Sequence, residues 1–126
     1  MKKEKSCGSV VIDDGKVLLV HHNLGHWDFP KGHVEDDETE EETAIREVKE
    51  ETNIDIEVDS SKKYTITYSP KEGVIKDVVF FLGKAKNTNT KPQEEEVCEV
   101  KFVPINEASN LLTYDEAKEV LKKLAL

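Results

Sequence analysis

The chain has 126 residues, of which 37% are hydrophobic and 36% charged, and carries a formal net charge of −9 at pH 7. That length suits one domain over residues 1–126 with one modest core, and the polarity stays within the globular range. The surplus of acid argues against a nonspecific DNA binder, which presents a basic face to phosphates. No apolar run approaches the roughly 20 residues that a membrane helix needs.

The opening residues, Met1 to Cys7, are charged and lack the apolar heart of a secretory signal, so a cytoplasmic location is expected. Cys7 and Cys98 show no metal-type spacing and are expected to be free, buried thiols. Val10-Val11-Ile12 and Val17-Leu18-Leu19-Val20 flank Asp13-Asp14-Gly15, a strong hairpin signal. His21, His22 and His26 form no ligand pattern and read as surface or loop residues. The stretch from Trp27 to Val34 is broken by Pro30 and Gly32 and reads as irregular, with Trp27 as a packing anchor. The acidic run Glu35 to Glu42 stands where a helix begins and complements its dipole. The helix is predicted to about Thr52, with Ala44, Ile45, Val48 and Thr52 in one sector facing the core.

Beyond Asn53, Ile54 to Val58 and Tyr64 to Tyr68 alternate as strands do, and Pro70-Lys71-Glu72-Gly73 is a turn. Val78-Val79-Phe80-Phe81-Leu82 reads as a central strand. Asn87 to Gln93 is a polar loop, and Val97 to Val103 a further strand. Pro104 opens a short helix to Leu112. Thr113 caps a last helix with Ala117, Val120, Leu121 and Leu124 on its inner side. The order predicts an α+β domain: a mixed sheet, one long helix in mid-chain, and helices at the end.

Glu47, Glu50 and Glu51 are spaced i, i+3, i+4 and share one side of the predicted helix. Three like charges there repel, and they sit near the negative end of the helix dipole. A solvated acidic face is one explanation. A divalent cation is the other, because hard oxygen ligands on a rigid element suit magnesium or manganese.

The surrounding residues carry a resemblance. Gly32, five residues, Glu38, seven residues, Arg46-Glu47-Val48-Lys49-Glu50-Glu51, one residue, Asn53-Ile54 resembles the Nudix box, G-x5-E-x7-R-E-U-x-E-E-x-G-U with U apolar. Asn53 stands where that family has glycine, and asparagine is the next best residue for ending a helix left-handed. Trp27 to Glu35 is similar to the lead-in W-x-[FP]-P-K-G-[HN]-[VI]-E of asymmetrically cleaving diadenosine tetraphosphate hydrolases. Inositol-pyrophosphate phosphohydrolases and some nucleotide triphosphatases carry similar lead-ins.

The resemblance implies the Nudix fold, a mixed sheet sandwiched between the box helix and the C-terminal helices. It implies Mg²⁺ (or Mn²⁺) held by Glu47, Glu50, Glu51 and the Gly32 carbonyl, with Glu38 and Arg46 steadying those carboxylates. A further acid outside the box is expected, Glu96 first, with Glu95 and Glu94 as neighbours in contention. Glu50 or Glu51 is expected to take the proton from water. Lys31 and His33 are expected near phosphate or base, and Tyr68 and Phe80 as flat surfaces for a base. The implied activity is metal-dependent hydrolysis of diadenosine tetraphosphate to ATP and AMP by a monomer or weak homodimer. The alternative is a Nudix pyrophosphohydrolase for another nucleoside triphosphate, a capped RNA 5′ end or a diphosphoinositol phosphate. A P-loop, a G-x-S-x-G elbow and a dinucleotide G-x-G-x-x-G are all missing from the sequence.

Overall fold

A computed structural model describes residues Met1–Leu126. The hairpin forms as the Asp-Gly signal predicts. Strands β1 (Lys2–Asp13) and β2 (Lys16–His22) meet at Asp14 and Gly15, whose φ values are 47° and 75°. Two consecutive positive φ angles match the twist of the flanking strands, and glycine adopts one without steric cost. The sequence suggests a strand only from Val10, yet β1 begins at Lys2. Its polar first half is held by parallel pairing with β6 (Val74–Ala85), from Lys2 opposite Val74 to Ile12 opposite Lys84. Pairing so remote in sequence leaves no local trace.

The Trp27–Val34 stretch is more regular than expected. It contains two short strands, β3 (Trp27–Asp28) on β2 and β4 (Lys31–His33) on the first half of β1. The two alternating segments after the helix are one strand, β5 (Ile56–Tyr68), whose register against β6 shifts between Asp59 and Lys63. The chain bulges there, where the Asp59 carboxylate accepts bonds from the Ser61 N–H and hydroxyl. Strand β7 (Val97–Pro104) pairs with β2. The sheet path runs β3-β2-β1-β6-β5, with β4 on β1 and β7 on β2, and only β1–β6 is parallel. It is a mixed sheet.

Helix α1 (Glu40–Thr52) covers one face. Thr39 and Glu42 form a reciprocal capping box at its start. Asn53 ends it at φ 67°, donating its N–H to the Lys49 carbonyl, the conformation asparagine tolerates best after glycine. Ala44, Val48 and Thr52 are buried, but Ile45 is 38% exposed. The sector that reaches the sheet is narrower than the periodicity suggests. Val48 packs with Val11, Leu18 and Ile54, while Ala44 packs with Cys7, Val79 and Phe81.

Helices α2 (Ile105–Leu111) and α3 (Asp115–Ala125) cover the other face, where Val120 and Leu121 pack with Val10, Val78 and Phe80. Strand β6 therefore buries successive residues on both faces, as a central strand does. Thr113 does not cap α3. Its hydroxyl accepts the Trp27 N–H at 2.8 Å, and Tyr114 takes the cap position without a side-chain bond. Cys7 is buried as expected, but Cys98 is exposed. It points out of β7 between buried Val97 and Val100. No helix is long and apolar enough to cross a membrane.

Candidate active site

Helix α1 and strand β4 place the acidic residues in unequal surroundings. Arg46 is the hub. Its Nε and Nη2 donate to the two oxygens of Glu38 at 2.6 and 2.9 Å, a bidentate pair. Its Nη1 donates to Glu47 at 2.8 Å and to Glu50 at 3.1 Å, and Nη2 also reaches the His33 carbonyl at 2.9 Å. Glu38 further accepts the Glu35 N–H and the Thr43 hydroxyl. The Arg46 bond and then the Glu35 N–H pull its carboxyl down to about 2. Glu38 is thus ionised at any ordinary pH and fixes the guanidinium that aims the other two carboxylates.

Gly32 lies against Glu47. A Cβ there would overlap the Glu47 carboxylate, so the approach of strand to helix requires glycine. Burial raises the Glu47 carboxyl above its ordinary range, with Arg46 opposing. Glu50, by contrast, keeps a half-exposed side chain.

Glu51 faces inward and is 2% exposed, yet its Oε1 has no hydrogen-bond partner. Burial pushes its pKa up to about 9, reinforced by the nearby charge of Glu47 and, more weakly, of Glu96. The charge of Lys31 and its backbone N–H act in the opposite sense, favouring the ionised carboxylate. Among Glu94, Glu95 and Glu96, it is Glu96 whose charge reaches Glu51. Its loop is tied down by the Asn23 N–H, which donates to the Glu96 carbonyl at 2.9 Å.

These carboxylates do not converge as a ready-made cage of three side chains. Arg46 holds two of them, and the third is drawn into the core. The donor set nevertheless fits a divalent cation. A buried carboxylate oxygen without a donor costs several kcal/mol when ionised, and a cation is the partner that removes that cost.

On the opposite face of the sheet, a cleft of about 560 Å³ is lined by Lys31, Tyr68 and Phe80, with His26, Asp28 and Tyr114 among its other walls. The Lys31 ammonium lies 3.8 Å from the buried Asp28 carboxylate. Phe80 is 1% exposed and packs edge-on against Phe29, so it offers no face for a base to lie on. Tyr68 and Tyr114, 39% and 48% exposed, supply the accessible rings. His33 is exposed on β4 and does not line the cleft. A larger recess of about 880 Å³ sits between the β1–β2 turn, β5, β6 and the end of α3. None of the acidic or cationic candidates lines it, whereas Lys31 lines the smaller cleft.

Four residues of this region escape sequence reading. His26 and Tyr114 line the cleft. Lys76, directly opposite Tyr68 and Glu4 in the sheet, shares the face of Phe80. Burial and then the charge of Lys31 lower its pKa. The period-two phase from Phe80 back to Lys76 is the signal that could have found it. The fourth is His22. The histidines are not the plain surface groups expected: His22 stacks on His26 at 4.2 Å, and His21 on Trp27 at 4.4 Å.

Fold, box geometry and sequence comparison agree on the class. The NUDIX domain family model matches residues 2–124, and the chain belongs to the Nudix family of hydrolases. Members generally act on small nucleotide substrates with a divalent metal.

Within that family, the chain is 34% identical over 103 residues to the asymmetrical bis(5′-nucleosyl)-tetraphosphatase of Caenorhabditis elegans, covering 79% of this chain and 74% of that protein. It is 33% identical over 130 residues to a putative mutator protein, MutT4, of Mycobacterium tuberculosis, covering 93% of this chain. The match spans about half, 52%, of that relative's length. The crystal structure of a C. elegans Ap4A hydrolase binary complex superposes with a TM-score of 0.83 at 30% identity, covering 95% of this chain and 93% of that one.

Proposed function

We propose that this chain hydrolyses a phosphoanhydride bond of dinucleoside polyphosphates, converting diadenosine tetraphosphate to ATP and AMP with Mg²⁺ or Mn²⁺. One observation carries the reading: Lys31 joins the two halves of the site. Its backbone N–H and its charge act on the buried Glu51 carboxyl from nearby, and the residue lines the aromatic cleft on the other face. A substrate with a base in the cleft then runs its phosphates over Lys31 toward the acidic residues. The relatives named for tetraphosphate cleavage support the same assignment.

Glu47, Glu50, Glu51, Glu96 and the Gly32 carbonyl would hold the metal. Once bound, it neutralises phosphate charge and acidifies water. The chain's own residues do the rest. Arg46, locked by Glu38, orients the carboxylates of Glu47 and Glu50. Lys31 and Lys76 bind phosphate oxygens, and His33 sits at the outer end of β4 within reach of a long polyphosphate. Tyr68 and Tyr114 stack on the base, worth about 1–3 kcal/mol per base. Glu50 or Glu51 takes the proton from the attacking water.

The expected products follow from register. One base held by the cleft rings sets which phosphorus lies over the carboxylates, and in a chain of four that position is off-centre. Chromatography after turnover in ¹⁸O-labelled water should show ATP and AMP, with label on one product only. Two ADP, or efficient cleavage of a nucleoside triphosphate instead, would favour the alternative that the mutator-named relative suggests.

Not every acid in the run matters. Glu40 bridges Lys5 at 2.8 Å and Lys63 at 3.3 Å, away from Arg46 and the box carboxylates. Glu40→Gln should leave turnover nearly unchanged and lower stability by less than about 1 kcal/mol in thermal melts, as for other exposed pairs.

A further inference from the structure

We propose that His22 is a positioning residue for substrate binding, the ring on which His26 rests as it forms the cleft wall. Strand β2 ends irregularly: its register with β7 shifts between His21 and His22, which re-aims the His22 side chain. The next four residues close a tight turn. The His22 N–H donates to the His26 carbonyl at 2.8 Å, the Gly25 N–H returns to the His22 carbonyl at 2.8 Å, and Gly25 adopts φ 106°. Asn23 ties the turn to the Glu94–Glu96 loop through the carbonyls of Glu94 and Glu96.

Inside this frame the His22 and His26 rings lie 4.2 Å apart and 18° from parallel. His26 then leans on Tyr114, centroids 5.6 Å apart at 49°. Only the last two rings line the cleft. His22 is behind them, and its Nε2 is buried without a partner. An orphaned ring nitrogen gives no local reason for the residue, since a buried polar atom left unpaired is a cost. The stack does give one. Burial, aided by His26, Lys31 and His21, holds His22 neutral, with its pKa near 4, so the supporting ring adds no cation beside Lys31.

The inference rests on the polyphosphate reading above only for its kinetic arm. With diadenosine tetraphosphate, His22→Ala should raise KM about 10-fold while kcat changes less than about 2-fold, the split expected when binding is lost and chemistry is not. His22→Phe keeps a flat ring and should restore both constants to within about 2-fold. In NMR spectra, the His26 ring protons should lose their ring-current shift in His22→Ala and keep it in His22→Phe. Unchanged His26 shifts or unchanged KM in His22→Ala would overturn the proposal. So would His22→Phe failing as His22→Ala does, which would assign the role to the ring nitrogen. Absence of tetraphosphate turnover in the unaltered protein would instead overturn the substrate reading, and the NMR arm would still decide whether His22 positions His26.

Discussion

Glu51→Gln is expected to lower turnover at least about 100-fold while making the metal-free protein more stable. The two effects have one cause. Glutamine keeps the size of the side chain and removes the charge that a cation needs, so metal affinity and rate fall together. In the metal-free fold that charge is a burden. Glu51 has an ordinary pKa of 4.5 when unfolded and about 9 when buried in the native protein.

For a carboxyl raised on folding, the native state binds the extra proton. Its stabilising contribution is fully present below about pH 4.5 and is lost as pH rises toward 9. At pH 7.5 the folded protein must keep Glu51 protonated against solvent, at a cost on the order of 2–4 kcal/mol. Glu51→Gln removes that cost. Thermal melts in chelator should therefore show the variant gaining on the parent as pH rises from 5 to 9, and Mg²⁺ should stabilise the parent more than the variant. Equal melting curves across that range would mean that Glu51 is not the buried, unpaired carboxylate described above.

Removal of divalent metal by chelator should abolish turnover, with recovery on addition of Mg²⁺ or Mn²⁺. The case is electrostatic. Glu47, Glu50 and Glu51 crowd one end of α1, and Arg46 alone cannot neutralise Glu38, Glu47 and Glu50 together. A tetraphosphate brought to this end meets the undercompensated negative charge of Glu47 and Glu50 unless cations intervene. On the reading proposed above, Lys31 and Lys76, on the other face of the sheet, would serve the phosphates nearer the base. Full turnover after exhaustive chelation would remove the metal from the mechanism and return the acidic helix to a solvated surface.

Much of this was legible in the residues themselves because it is local. The Asp14-Gly15 turn and the left-handed Asn53 depend on neighbours within one turn of chain, and each appears as expected. The spacing from Gly32 through Glu38 to Arg46 also anticipates that these residues meet. It does so through family resemblance rather than through any local rule.

What only the tertiary structure decided is how deep each group lies and what it faces. Helical periodicity puts Glu50 and Glu51 side by side, yet Glu50 stays half-exposed beside Arg46 while Glu51 faces inward and loses its water. Alternation marks Phe80 as one of two possible facings. The parallel pairing of β6 with β1 and the packing of Phe29 bury it and leave the accessible rings to Tyr68 and Tyr114. Lys76 comes to lie opposite Glu4 only through the parallel pairing of β6 with β1. Such contacts depend on segments folded against each other across long stretches of chain, and periodicity within a segment carries no information about its partner.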